Sequence, residues 1–194
     1  MTAATLIDPE TSTSLELMRW TREQFETAAG KGAFDENPRV ELLDGYILAM
    51  PVQSPRHAVA VDQTRDALAA IFHDEFCVRA HSPFGLDDFS APEPDVAVVP
   101  GQRPDYTIEH PTLAVLLVEV SDTTLAKDRG RKLRAYARNG VPEYWIVNLQ
   151  ESQIEAYRDP QGETYGSCLV FRRGQTIATL AKPDSPIAVA DLLP

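Results

Sequence analysis

The chain has 194 residues, 43% hydrophobic and 24% charged, a balance that fits one globular domain and excludes an extended disordered chain. No apolar run approaches the roughly 18 residues needed to cross a bilayer. The net charge of −11 argues at first against a nucleic-acid partner, because phosphate binding needs clustered Lys and Arg.

Residues 1–14 are rich in Thr and Ser and read as a loose N-terminal segment, ahead of a single domain over 15–194. The first twenty residues lack a basic start followed by an apolar core, so no signal peptide is expected, and the cytoplasm is the expected compartment. Thr21 and Gln24 form a capping-box pattern for a helix from Thr21 to Ala29. Arg39 to Leu43 and Tyr46 to Met50 flank Asp44-Gly45, a strong hairpin signal. A helix is predicted from His57 to Asp74, then strands from Phe76 to Ala80 and from Asp95 to Val99, with turns between. Leu113 to Ser121 is nearly all apolar and reads as a strand buried on both faces. Thr123 or Thr124 caps a helix that stops at Asn139-Gly140. Glu143 to Leu149 is a further central strand, and the strand–helix–strand unit fits a parallel crossover. Ser152 to Tyr157 and Thr164 to Phe171 form a hairpin, followed by an edge strand and tail. The order predicts an α/β fold with a mixed sheet and helices packed on it. Cys77 and Cys168 have no ligand-like neighbours and read as buried thiols.

The charge is unevenly spread. Residues 127–138, KDRGRKLRAYAR, hold six of the 18 basic residues and one acid, a local charge of +5 that leaves −16 on the remainder. The window is either a solvated helix face or a basic site on an acidic body.

Three residues stand out within it and beside it. Glu119 interrupts an apolar strand, where an isolated carboxylate is expensive and must be neutralised, paired or bound to a metal. Asp95 opens DVAVV; alone it reads as a turn residue, but neighbouring strands would bring it to Glu119. Two converging carboxylates suit a hard cation such as Mg²⁺, which can acidify a bound water and stabilise charge on a phosphoryl oxygen. Lys132 shares a helical stripe with Asp128 and Tyr136. It either faces solvent beside Asp128 or reaches the carboxylates, where it could orient or deprotonate a water. Glu41 alternates against Val40 and Leu42 and reads as a surface acid. His57 opens a helix and has no assigned role. The histidines show no zinc-type spacing.

VELLDGYILAMP, SPRH, PEPDVAVVP, LLVEVSDTT and KDRGRKLRAYARNGVPEYWIV together resemble the bacterial Uma-two family, restriction-endonuclease-like members of the PD-(D/E)XK nuclease superfamily. The resemblance runs from about Thr21 to Tyr157 and implies a restriction-endonuclease-like mixed sheet flanked by helices, with a Mg²⁺ or Mn²⁺ site on strand ends. By position it makes Asp95 and Glu119 the two metal-binding acids and Glu41 an additional acid near the metal. Where the superfamily carries Lys two residues after its second acid, this chain has Ser121, so Lys132 would supply a displaced amine. The implied activity is metal-dependent hydrolysis of phosphodiester bonds in DNA, with His57, Arg129, Arg131 and Arg134 as candidate nucleic-acid contacts. The alternative is a nuclease-derived binding module without turnover. A homodimer is expected, since nucleases that cut both strands often act as two-fold dimers.

Overall fold

The computed structural model describes residues 5–7, 14–16, 18–35 and 39–194. Within the stretch expected to be a loose start, β1 (Thr5–Ile7) pairs antiparallel with β2 (Ser14–Glu16); the rest of 1–14 lies outside the described residues. Helix α1 (Arg22–Gly30) begins with the predicted box, Thr21 Oγ1 accepting from Gln24 N and Gln24 Oε1 accepting from Thr21 N. Strands β3 (Val40–Leu43) and β4 (Tyr46–Ala49) form the predicted hairpin. Asp44 and Gly45 take φ of 55° and 80°, the pair of left-handed residues that a type I′ turn demands.

Six strands make the central sheet, in the order β10–β9–β8–β7–β6–β5. These are β5 (Phe76–Ala80), β6 (Val96–Pro100), β7 (Leu116–Ser121), β8 (Glu143–Asn148), β9 (Gln153–Gln161) and β10 (Thr164–Arg172). Only the β7–β8 pair is parallel, as the strand–helix–strand unit predicts. Strand β7 starts at Leu116 rather than at Leu113, which lies 71% exposed. The central strands are buried on both faces because helices cover both. Helix α2 (Pro55–Ile71) packs Ala60, Val61 and Leu68 on one face, against Val96, Val118 and Trp145. It starts two residues before His57 and ends three before Asp74. Proline is suited to the first helical position, where its missing N–H costs nothing. The C-terminal pair β11 (Thr176–Thr179) and β12 (Lys182–Ala188) closes the same face.

The other face carries the crossover. It runs as α3 (Leu125–Lys127), a π-turn over Asp128–Lys132 and α4 (Leu133–Arg138). Ala135, Tyr136 and Ala137 of α4 pack on Ala97, Leu117, Tyr144 and Ile146. Gly140 ends this unit at a φ of 69°. One cysteine differs from expectation. Cys77 is buried, but Cys168 lies exposed on the sheet-edge strand β10, and neither forms a disulfide.

Candidate active site

Register brings the two acids together. Val96 pairs with Val118 across β6 and β7, so Asp95, one residue before, stands opposite Glu119. Alternation puts both on the face beneath the crossover helix, with Ala97 and Leu117. The backbone N–H of Val120 donates to Asp95 Oδ2 at 2.8 Å, which fixes the carboxylate at the strand end.

The π-turn aims the amine. In a regular helix, residues four apart drift by roughly 40° around the axis. The wider i→i+5 turn takes up that drift, and Asp128, Lys132 and Tyr136 all point at the sheet, each no more than 2% exposed. Such single π-turns are frequent at functional sites. Lys132 Nζ donates to Glu119 Oε1 at 2.8 Å and lies 3.2 Å from Glu41 Oε2. Tyr136 OH donates to the same Glu119 oxygen at 2.7 Å. The solvent-facing alternative for Lys132 is therefore excluded.

Glu41 is fully buried, not a surface acid. Its Oε1 accepts from Lys127 Nζ at 3.1 Å, and its Oε2 from the Glu93 backbone N–H at 3.2 Å as well as facing Lys132. The hairpin lies beneath the crossover helix, so the strand face that alternation assigns to solvent is roofed by lysines from far along the chain.

His57 is the third residue of α2, and its backbone N–H donates to the N-cap Ser54 Oγ at 3.2 Å. Its Nε2 sits 3.2 Å from Asp95 Oδ2, while its buried Nδ1 has no partner among the described residues. His81 approaches the other Asp95 oxygen at 3.5 Å. A cleft of about 80 Å³ opens over Asp95, Glu119, Asp128 and Lys132, walled by 50–54 and edged by Lys127. It has room for several waters. Ser54 Oγ donates to Asp122 Oδ2 at 2.6 Å across its rim.

The electrostatics split the acids. The Glu119 carboxyl is pushed up to about 8, chiefly by burial and also by Asp95, Asp128 and Glu41, against the downward pull of Lys132. Burial alone would also raise Asp95, but the His57 hydrogen bond and charge hold it below its ordinary value. Glu41 is likewise held low, the charges of Lys132 and Lys127 outweighing burial. Burial would lower Lys132, yet Glu119 and Glu41 keep its ammonium more firmly protonated than usual. Four carboxyls thus face two ammonium groups and the imidazoles of His57 and His81, more acids than ammonium groups at a buried point.

That surplus fits a hard cation. Mg²⁺ is commonly held by one or two carboxylates while keeping several waters. No group of three or more His, Cys, Asp or Glu side chains among the described residues is placed to hold a metal ion, so the fit is to a largely hydrated ion on one or two carboxylates. Both bonds to Glu119 fall on Oε1, leaving Oε2 uncommitted among the described residues. Asp128 Oδ1 is also buried there without a partner.

The arginines lie elsewhere. Arg129 grips Glu155 with Nε and Nη2 at 2.8 and 2.7 Å. Arg131 stacks over the Tyr46 ring at 5.5 Å, and Arg134 lines a separate surface hollow with Asp44 and Arg138. None of the three lines the cleft. The cation at the cleft rim is Lys127, which belongs to the same basic window but was not singled out by its spacing. Asp128 and Tyr136 were visible in the sequence only as companions of Lys132 on its stripe.

A family model described as "Uma2: Putative restriction endonuclease" matches residues 22–188. The chain belongs to the Uma2 family. Among solved structures, the Uma2 chain is similar to a protein from Anabaena variabilis described as a "putative nuclease belonging to DUF820". The two are 16% identical over 80% of this chain and 89% of that one, with a TM-score of 0.62. No curated protein matches. The shared fold is the mixed sheet flanked by helices, and in this Uma2 chain it delivers the amine from the crossover helix, while Ser121, on the strand, donates to Asp128 Oδ2 at 2.7 Å.

Proposed function

We propose that this Uma2 protein is a metal-dependent endonuclease that hydrolyses phosphodiester bonds in DNA. The observation that carries this reading is the convergence of Asp95, Glu119 and Lys132, from separate elements, on one small cleft. Asp95 and Glu119 would hold Mg²⁺ or Mn²⁺, with Glu41 behind them. When bound, such an ion supplies an acidified water and neutralises charge on the phosphoryl oxygens.

The chain's own residues supply the alignment. Lys132 has three N–H donors, two of them directed at Glu119 and Glu41. The third is free to orient a water or to meet a phosphoryl oxygen as charge develops. Its firmly held proton makes it a donor and charge stabiliser, not the base. His57 holds Asp95 in place through Nε2. Lys127, at the rim, is placed to meet a substrate phosphate.

Residues 15–194 are read as one catalytic domain working in the cytoplasm; no described helix is long and apolar enough to cross a membrane. A two-fold dimer through the open edge of β10 is part of the same reading, supported by the exposure of Leu169 and Val170 there. The test is incubation of the purified protein with plasmid DNA and Mg²⁺ or Mn²⁺. Cleavage is expected in the wild type and is expected to vanish in Lys132→Ala. Equal activity in both, or none in either, rejects the reading, and metal binding without cleavage favours the binding module.

A further inference from the structure

Asp128 is the buried acid for which the proposed reaction has no use. Its residue is 1% exposed and it lines the cleft with Asp95, Glu119 and Lys132. One of its oxygens is fully occupied: Oδ2 accepts from Ser121 Oγ at 2.7 Å and Thr124 Oγ1 at 2.5 Å. These two hydroxyls, from β7 and from the turn after it, fix the plane of the carboxylate. The other oxygen, Oδ1, is buried and has no hydrogen-bond partner among the described residues. A buried carboxylate oxygen left unpaired costs free energy, and it persists where another group meets it.

Glu41 has the opposite arrangement. Both of its oxygens are taken, by Lys127, Lys132 and the Glu93 N–H, and it does not line the cleft. It is set back from the space an ion would occupy. The π-turn separates the two tasks further. It carries Asp128 at its start and Lys132 at its end, so one local distortion presents an acid and an amine to the same cleft.

We propose that Asp128, rather than Glu41, is the acid that supports a partly hydrated divalent cation held by Asp95 and Glu119, its Oδ1 accepting from a water of that ion, and that Glu41 is the anchor that holds Lys127 and Lys132. This rests on the metal-dependent reading above. Ser121 then has a defined role as well. The hydroxyl at the position where the superfamily carries its lysine orients the added acid.

The test is Mn²⁺ titration of the full chain by calorimetry, with thermal unfolding of the same samples with and without Mn²⁺. Asp128→Asn keeps an oxygen for Ser121 and Thr124 but removes the charge. It is expected to weaken Mn²⁺ binding by about tenfold or more, the range seen for partners of metal sites. Glu41→Gln is expected to leave Mn²⁺ affinity within about threefold while lowering the melting temperature of the metal-free protein. Asp128→Asn binding as tightly as wild type overturns the proposal, as does Glu41→Gln losing as much affinity as Asp128→Asn. If Asp128→Asn does not fold, Asp128→Ser takes its place with the same expected loss. A wild type that binds no Mn²⁺ overturns both this assignment and the metal-dependent reading, whereas binding in the wild type with no effect at Asp128 overturns this assignment alone.

Discussion

Two sets of buried carboxylates lie on or against the central sheet, and they are partnered differently. Glu143 is fully buried, yet its Oε1 accepts from Arg158 Nε at 2.8 Å and Trp145 Nε1 at 2.9 Å, and its Oε2 from the Leu180 N–H at 2.7 Å. Glu155 is met by Arg129, Asn148 and Tyr157. Each of these acids has its own guanidinium and neutral donors besides. At the cleft, Asp95, Glu119 and Asp128 have neutral donors but no guanidinium, and with the saturated Glu41 behind them they share Lys127, Lys132, His57 and His81; Glu119 Oε2 and Asp128 Oδ1 are uncommitted among the described residues. Yet Glu119, Ile146 and Glu155 stand in one line across β7, β8 and β9. The difference is therefore one of partners and not of position in the core. A saturated acid holds the fold, and an undersaturated one is available for chemistry.

Substitutions should separate the two sets. The largest effect is expected at the saturated one. Glu143→Ala leaves Arg158 and Trp145 without their acceptor and should cost about 3–5 kcal/mol in urea unfolding, the range for breaking a buried ion pair. Mn²⁺ affinity in the folded fraction should not change, and a parallel loss of binding would erase the distinction. Glu119→Gln should do the reverse. It relieves the acid surplus, so stability should hold or rise by about 1 kcal/mol, as often follows when a functional site is neutralised. Mn²⁺ should then no longer raise the melting temperature. A large loss of stability would place Glu119 with the structural acids.

The smallest effect is in the pH dependence of the metal-free protein, where Glu119 and Glu155 should give opposite slopes. Glu155 is held below its ordinary value of 4.5, burial being outweighed by the Arg129 hydrogen bond and the donors beside it. Its contribution is complete above 4.5 and is lost as pH falls through its folded value. Glu119 is raised by burial from 4.5 toward about 8. The folded state then holds a proton that the unfolded chain gives up, and stability falls as pH rises across that interval. Melting temperatures across pH should show both slopes in the wild type and a shallower fall toward high pH in Glu119→Gln, where Asp128 and His57, both raised, still contribute.

How much of this was legible in the sequence depended on how far apart the cause and the effect lie along the chain. The Thr21 box, the Asp44-Gly45 turn and the parallel crossover are local, and their residues announce them. The meeting of Asp95 with Glu119 needed only that two apolar strands be neighbours. The burial of Glu41 was not legible, because alternation within β3 says nothing of a helix 86 residues later that covers it. The π-turn was hidden for another reason: DRGRK has the composition of an ordinary helix, and only packing on the sheet selects the wider turn. The basic window looked like a phosphate surface, but its charges point in several directions, and Arg129 is consumed by Glu155, an acid on a strand laid down later.

The wider turn at Asp128–Lys132 also sets what can disturb the proposed reaction. A lysine on the same strand as the acid would move with it as one body. Here the amine travels with a helix and Glu119 with a sheet, and the layer between them is Ala135, Tyr136, Leu117 and Tyr144. Repacking that apolar layer would slide one body over the other and be read at the cleft as a misplaced nitrogen. The core under this helix is thus an alignment surface as well as a source of stability, and its tolerance to substitution is set by the precision of the 2.8 Å contact it maintains.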